Sequence, residues 1–119
     1  MSIKKLNIAL IGCGAIGKRH CEYIDKYAEL VAVCDIEEEK AKEMANKYNC
    51  RKYYNILDLL ENEKNLDLLS ICTPNYLHAE HTVLGLQNGI NVLCEKPMAL
   101  TTYECEKMIQ TAEKFIVFI

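Results

Sequence analysis

Apolar residues fall in short uninterrupted runs along this chain, and most runs end at a glycine, a charged residue or a turn sequence. Continuous runs, unlike alternating ones, are typical of strands that are buried on both faces of a sheet. Four such runs and one shorter segment predict strands at Asn7–Ile11, Leu30–Cys34, Arg51–Tyr54, Leu66–Cys72 and Ile90–Cys94. The last residues, 115–119 (FIVFI), form a further strand-like run.

The segments between these runs have helical spacing. The clearest apolar stripe, at i, i+3, i+4 and i+7, consists of Ala41, Met44, Ala45 and Tyr48. Glutamates at 37–39 precede it and suit the positive end of a helix dipole. Helices are predicted at Ala15–Tyr27, 37–48, Ile56–Glu61 and Tyr76–Asn88, with a fifth beginning near Thr101.

Two of these helices have recognisable end signals. Gly89 predicts a C-terminal stop after the fourth helix. Thr101 and Glu104 have the spacing of a capping box, in which each residue satisfies a backbone or side-chain donor of the other. The apolar face of this last helix is predicted to contain Cys105, Met108, Ile109 and Ala112.

Strands that alternate with helices, each strand apolar throughout, predict a parallel sheet with helices on both faces. The fold class is therefore α/β, with a doubly wound parallel sheet in three layers (α/β/α) and right-handed crossovers. The 119 residues have no internal repeat, low-complexity tract or linker. We expect residues 1–119 to form one domain.

Composition narrows the classes of function. Apolar residues make up 50% of the chain and charged residues 26%, as in ordinary globular proteins. The net charge of −3 provides no basic stripe for a nucleic acid. No apolar run approaches the length of a membrane span. The lysines before the first run resemble a signal peptide, but the run ends in a glycine loop and a strand is favoured.

Seven cysteines stand far apart, in an odd number and without a C-x-x-C pair. This spacing does not match a zinc site or a disulfide framework. Cys34, Cys72 and Cys94 each end a strand-like run, where a thiol behaves as a small hydrophobic group. We expect reduced, buried thiols, a cytoplasmic location and no metal.

The segment GCGAIG, residues 12–17, follows the first strand and precedes the first helix. Gly12 permits a tight turn, Gly14 lets the backbone approach a pyrophosphate, and Gly17 lets the helix pack closely on the strand. The new helix directs free N–H groups at a phosphate. Asp35, at the end of the second strand, has the spacing of a ribose-binding carboxylate. The structural alternative is a tight turn beside a solvated aspartate.

This region also indicates which dinucleotide is bound. A 2′-phosphate would meet Asp35 and the glutamates at 37–39, and no arginine follows Asp35 to receive it. Like charges in a partly desolvated site repel. We therefore expect NAD as the cofactor in preference to NADP.

The segment TPNYLHAEH follows the fourth strand. Asn75 is of a residue type that caps helices, and capping the helix that follows is the structural alternative to a role at the site. His78 and His81 lie three residues apart, as metal ligands do, but no third ligand is near in sequence. His78, at the start of a helix facing the cleft, is interpreted instead as a residue that orients substrate. Lys18, Arg19 and His20 are expected to serve the surface and packing of the first helix rather than chemistry.

The segment CEKP follows the fifth strand. Glu95 and Lys96 have no packing role there, and a lysine beside a nicotinamide can bond a substrate hydroxyl or act as acid or base. The alternative is a surface ion pair. Pro97 restricts Lys96 to extended conformations. In a doubly wound sheet these strand ends lie together, at the edge where ligands bind.

The ordered set IALIGCGAIGKRH, VCD, SICTPNYLHAEH and NVLCEKP resembles the N-terminal half of the Gfo/Idh/MocA oxidoreductases, over nearly the whole chain. The resemblance implies a Rossmann fold that binds NAD or NADP. It implies that the pyrophosphate lies along Gly12, Gly14, Ala15 and Ile16. It also implies that Asp35 binds the adenine ribose, and that Thr73, Pro74, Asn75, His78, Glu95 and Lys96 lie toward the nicotinamide.

The resemblance implies hydride transfer between a nicotinamide and a hydroxyl or ketone of a sugar, inositol or nucleotide sugar, with Lys96 as the catalytic residue here. Members of the family carry a second domain that provides substrate contacts and an oligomer interface, and this chain lacks it. We therefore expect binding of the cofactor with little turnover by this chain, and a homo-oligomer in the full-length form. The alternatives are a dinucleotide-sensing regulatory module and an enzyme that borrows and returns the hydride.

Overall fold

A computed structural model describes residues 5–96 and 99–115 of the chain. The strands are β1 (Asn7–Ile11), β2 (Glu29–Cys34), β3 (Arg51–Tyr53), β4 (Leu68–Ile71) and β5 (Asn91–Cys94). The helices are α1 (Ala15–Tyr27), α2 (Glu38–Tyr48), α3 (Ile56–Asn62), α4 (His78–Gln87) and α5 (Thr102–Phe115). A short 3₁₀ helix, Asn75–Leu77, precedes α4.

The five strands form one sheet in the order β3-β2-β1-β4-β5, and every pair is parallel. β1 lies at the centre, with Ile8 opposite Leu30 of β2 and Leu68 of β4. From β1 the chain adds β2 and β3 on one side of the sheet, and then crosses back to add β4 and β5 on the other side of β1. The crevice between the carboxyl ends of β1 and β4 is therefore the switch point at which such sheets bind ligands.

Helices cover the sheet on both faces. On one face Leu10 and Val33 pack against Cys21 of α1 and Met44 of α2. On the other face the core consists of Ala9, Ile11, Ala32, Leu69 and Ile71 with residues of α3, α4 and α5. Because both faces are buried, the successive residues of the central strand from Ile8 to Ile11 are all apolar. The predicted doubly wound α/β fold in three layers is confirmed.

Several predicted boundaries move by one or two residues, and one residue predicted to be on an apolar face is exposed. β4 ends at Ile71, so Cys72 belongs to the loop that follows. The helix predicted from Tyr76 begins as a 3₁₀ turn and becomes α-helical only at His78. Ile109 was predicted on the apolar face of α5, but it is 47% exposed, while Met108 is fully buried.

The predicted end signals are largely confirmed. Gly89 ends α4 with a φ of +73°, which a glycine adopts without strain. Glu104 N–H donates to the Thr101 hydroxyl at 3.1 Å, and the Glu104 carboxylate accepts from the Leu100 N–H at 3.2 Å and from the Thr101 hydroxyl at 3.4 Å. Phe115 is the last residue of α5, and the rest of the predicted strand, residues 116–119, lies outside the described residues. Among the helices described, none has the length and apolar character required to cross a bilayer.

Candidate functional site

Two of the three glycines in the loop after β1 are required by close contacts. Gly12 has a φ of +101°, and a Cβ on it would lie 2.6 Å from the backbone carbon and oxygen of Cys72. A Cβ on Gly17 would lie 2.0 Å from the carbonyl oxygen of Gly12. Since real Cβ atoms do not approach so closely, any side chain at either position would force the backbone apart. The loop is therefore held tightly against both α1 and the end of β4.

Gly14 is different, because a Cβ there would meet nothing within 4 Å. It is the N-cap of α1, and no side chain caps the helix at this end. The first turn contains no acidic residue, and Ala15 and Ile16 are exposed. Helix N–H groups without partners at a positive dipole end bind anions well. The space beside the backbone of Gly14 allows a pyrophosphate to approach the N–H groups closely.

The Asp35 carboxylate connects two loops. Its Oδ2 accepts a hydrogen bond from Cys13 N–H at 2.8 Å, and its Oδ1 accepts one from Glu37 N–H at 2.8 Å. The side chain is partly exposed, so each oxygen keeps a lone pair for a further donor. The structure thus brings Asp35 to the glycine loop, as the spacing predicted.

The loop after β4 is braced by two histidines. His78 Nε2 lies 2.8 Å from the Thr73 carbonyl oxygen, and His81 Nδ1 lies 3.1 Å from the Thr73 hydroxyl oxygen. Burial lowers the pKa of His81, because the charged imidazolium loses its water. Both rings therefore hold the loop that carries Thr73, Pro74 and Asn75.

Two expectations for this loop were wrong. His78 was expected at the surface of the cleft, but it is only 1% exposed and its ring packs behind the loop. Asn75 was considered as a helix cap, but it is the first residue of the 3₁₀ turn, and neither that turn nor α4 has a side-chain cap. Pro74 and Asn75 are exposed at the carboxyl edge of the sheet. Within residues 5–96 and 99–115 no three His, Cys, Asp or Glu side chains are grouped to hold a metal ion.

Glu95 and Lys96 directly follow β5. Glu95 N–H donates to the Ile71 carbonyl at 3.0 Å, which extends the pairing of β4 and β5 by one residue. Lys96 is exposed. The predicted effect of Pro97 on Lys96 concerns a residue that lies outside the described part of the chain.

His20 was expected to serve the surface and packing of α1, and its ring is partly buried against two partners. Its Nε2 lies 2.8 Å from Glu95 Oε2, and its Nδ1 lies 3.0 Å from Ser70 Oγ. The signal that would have found it is helical spacing. His20 follows Gly17 by three residues and precedes Ile24 by four, which places it on the stripe of α1 that faces the sheet.

All seven cysteines are free, as predicted, and Cys13, Cys21 and Cys34 are buried. Burial raises the pKa of each of these three thiols to about 12, because a thiolate would be poorly solvated there. Cys50, Cys72, Cys94 and Cys105 are only partly buried. The buried thiols act as small hydrophobic groups rather than as nucleophiles.

A depression of about 460 Å³ lies at the opposite edge of the sheet. It is lined by residues at the amino ends of strands, among them Asn7 and Arg51. There Arg51 and Tyr53 both bond the buried Glu63 carboxylate, which satisfies its charge internally. The convergence of the glycine loop, Asp35, Thr73 and Glu95 at the carboxyl edge is the stronger indication of a site, because the uncapped start of α1 and the Asp35 carboxylate offer donors and acceptors there.

Comparison with known proteins agrees with this geometry. The model of the GFO_IDH_MocA family, described as an oxidoreductase family with an NAD-binding Rossmann fold, matches residues 6–117. The chain is 36% identical over 117 residues to D-glucoside 3-dehydrogenase of Escherichia coli K12, covering 96% of this chain and 33% of that protein. It is 31% identical to 2,7-anhydro-N-acetylneuraminate hydratase of Mediterraneibacter gnavus, covering 94% and 30%.

Solved structures also match. The WlbA dehydrogenase of Bordetella pertussis, in complex with NADH and UDP-GlcNAcA, superposes with a TM-score of 0.91 at 31% identity. The match covers 96% of this chain and 36% of that one. The chain thus spans about a third of the length of the curated relatives that it matches.

Proposed function

This chain belongs to the GFO_IDH_MocA oxidoreductase family, and from that premise we propose that it is the NAD-binding domain of a longer dehydrogenase. The substrate is proposed to be a hydroxyl or ketone group of a sugar, inositol or nucleotide sugar. The observation that carries the proposal is the uncapped start of α1 at Gly14, beside a loop that Asp35 holds in place.

In this proposal residues 1–119 form the cofactor domain, and a second domain outside this chain completes the substrate site. Relatives about three times as long support this division. The chain alone then binds the cofactor with little turnover, and the full-length protein works in the cytoplasm as a homo-oligomer. Its partner is a small sugar-like molecule rather than a nucleic acid, since the net charge is −3.

The glycine loop is proposed to bind the pyrophosphate. Gly14 leaves room for it, and Gly12 and Gly17 shape the loop. The backbone N–H groups at the start of α1, including those of Ala15 and Ile16, donate to the phosphate oxygens. The remaining carboxylate lone pairs of Asp35 accept from the hydroxyls of the adenine ribose.

The same carboxylate is proposed to disfavour NADP. The Asp35 carboxylate is partly buried, and Glu37, Glu38 and Glu39 follow it on exposed positions. A 2′-phosphate placed against these charges would be repelled. Within the described residues of this loop no arginine offers compensation.

Lys96 is proposed as the catalytic residue, with Thr73, Pro74, Asn75 and Glu95 around the path to the nicotinamide. The nicotinamide supplies the hydride acceptor or donor when the cofactor is bound. An exposed ammonium at the end of β5 can donate to the reacting oxygen of a substrate and favour negative charge there. His78 is proposed to act only through Thr73, because its own ring is buried.

A second candidate has support from one relative. The hydratase of Mediterraneibacter gnavus is 31% identical over this region. We therefore keep an enzyme that borrows and returns a hydride as the alternative to a net dehydrogenase. The two differ in whether NADH accumulates during turnover.

Two measurements test the proposal. The chain is titrated with NADH and NADPH and binding is followed by nucleotide fluorescence, with micromolar binding of NADH and at least about tenfold weaker binding of NADPH expected. In the longer protein, Lys96→Ala is compared with Lys52→Ala, an exposed lysine on β3. Loss of turnover only in the first variant supports the catalytic role. Absence of nucleotide binding, or equal turnover in both variants, would refute it.

A further inference from the structure

His20 joins the two ends of the proposed site through its two ring nitrogens. It lies in the second turn of α1, the helix that begins at the glycine loop. Its Nε2 is 2.8 Å from the Glu95 carboxylate, which lies 75 residues further along the chain. Its Nδ1 is 3.0 Å from the Ser70 hydroxyl and 3.3 Å from the Cys72 sulfur.

The direction of the bond to Glu95 follows from the chemistry of the carboxylate. An ionised carboxylate only accepts hydrogen bonds, so Nε2 carries a proton and donates to Glu95. Nδ1 faces the fully buried Ser70 hydroxyl, which can donate to a ring nitrogen or accept from it. Every polar atom of the imidazole is thereby used, which fixes the orientation of the ring.

This arrangement holds Glu95 by two independent bonds. The backbone N–H of Glu95 is tied to Ile71 of β4, and its carboxylate is tied to α1. The side chains of His20 and Glu95 are only 23% and 30% exposed, so the bond between them is partly shielded from water. Lys96 is the next residue, and its backbone direction is set by how Glu95 is held.

We propose that His20 is a positioning residue: by bonding the Glu95 carboxylate it couples the helix that begins at the cofactor loop to the orientation of Lys96. The inference rests on the role of Lys96 given under the proposed function. Small displacements of a catalytic group are costly, since a misplacement of about 1 Å can lower a rate by about a hundredfold. A link between α1 and Glu95 prevents such a displacement when the cofactor loop adjusts.

Two amide substitutions separate the two bonds of the ring. In His20→Gln the side-chain amide nitrogen takes the place of Nε2, so the bond to Glu95 is kept. In His20→Asn the amide takes the place of Nδ1, so the contact with Ser70 is kept and the bond to Glu95 is lost. Arg19→Ala changes an exposed neighbour on the same helix and is the control.

The backbone amide signals of Lys96 and Gly14 in NMR spectra of the 119-residue chain provide the test. Without cofactor, His20→Asn and Glu95→Gln are expected to shift the Lys96 signal, whereas His20→Gln and Arg19→Ala leave it in place. On addition of NAD, Gly14 is expected to respond in every variant, and Lys96 to respond at least about twofold less in His20→Asn than in the wild type. If His20 acts only by filling space with its ring, both amide variants are expected to shift the Lys96 signal alike.

The possible outcomes are distinct. Rescue by His20→Gln but not by His20→Asn supports the inference. Equal effects of both variants on Lys96, or no effect of either, overturn it. If NAD moves no signal in the wild type, the proposed function fails, while the cofactor-free comparison still decides whether His20 positions the residues at 95 and 96.

Discussion

The carboxylate of Asp35 accepts a hydrogen bond from the backbone N–H of Cys13 at 2.8 Å, and this bond joins the end of β2 to the loop that follows β1. The second carboxylate oxygen bonds Glu37 N–H, so the side chain is held on two sides before any ligand arrives. A preorganised acceptor loses little rotamer entropy when it binds. This relationship makes Asp35 both part of the loop structure and the first residue to vary experimentally.

Asp35→Asn is expected to weaken NAD binding by about tenfold, because a hydrogen bond to a charged acceptor contributes about 1.5 kcal/mol or more. Binding of NADP is expected to change less, since the repulsion of its phosphate is removed at the same time. Calorimetric titration of both nucleotides measures this. Glu61→Gln, which neutralises an exposed carboxylate on α3 away from this loop, is the control. An unchanged ratio of the two affinities in Asp35→Asn would contradict the proposed role.

Gly14→Ala and Gly17→Ala are expected to separate binding from stability. A methyl group on Gly17 would overlap the Gly12 carbonyl oxygen, so this variant is expected to lose about 2 kcal/mol or more of unfolding free energy. A methyl group on Gly14 meets no protein atom, so its unfolding free energy stays close to that of the wild type while NAD binding weakens. Urea unfolding and nucleotide titration give the two quantities. Comparable destabilisation by both substitutions would show that Gly14 is required by the fold instead.

His81 is expected to make stability depend on pH below neutrality. Burial lowers the pKa of His81 in the folded chain below the value of 6.5 that it has when exposed. As pH falls through 6.5 the unfolded chain takes up a proton that the folded chain does not, so unfolding free energy decreases until the folded pKa is reached. The slope of unfolding free energy against pH, between pH 7.5 and the folded-state pKa, is expected to be smaller in His81→Gln. This variant keeps a hydrogen-bonding partner for Thr73. Identical slopes in both proteins would rule out this contribution.

Native-state alkylation should distinguish two classes of cysteine. Burial raises the pKa of Cys13, Cys21 and Cys34 to about 12, and the thiolate is the reactive form. At pH 8 with iodoacetamide these three are expected to stay unmodified while Cys105, which is partly exposed, reacts. In urea all seven should react, which mass spectrometry of peptides would show. Early modification of Cys13 would mean that the glycine loop opens in the native state.

Local signals in the sequence predicted most of the fold. Uninterrupted apolar runs such as Asn7–Ile11 located the strands because both faces of the sheet are buried. Gly12 and Asp35 were located because both follow strands, and the carboxyl ends of parallel strands meet at one edge. Ile109 was misassigned because helical spacing does not tell how wide the buried stripe is: α5 buries Met108 and Ala112, and Ile109 between them lies outside that stripe.

The contacts that the sequence did not predict are long-range or concern side-chain direction. His20 and Glu95 are 75 residues apart, and no local pattern relates them. His78 was expected to face the cleft because it begins a helix at the correct edge. In the structure the 3₁₀ turn at Asn75–Leu77 rotates the start of α4, and the His78 ring is buried against the Thr73 carbonyl.

The central position of β1 also affects how the protein is made. Ile8 of β1 pairs with Leu68 of β4, and the backbone of Gly12 lies against that of Cys72. A parallel sheet has no hairpins, so each such pairing must close a long loop, which slows folding. A ribosome adding about 5–20 residues per second needs about 3–12 seconds to pass from one partner to the other. During that interval the nascent chain presents one unpaired edge of its central strand, and the loop proposed to bind the pyrophosphate has not yet met the segment that closes against it.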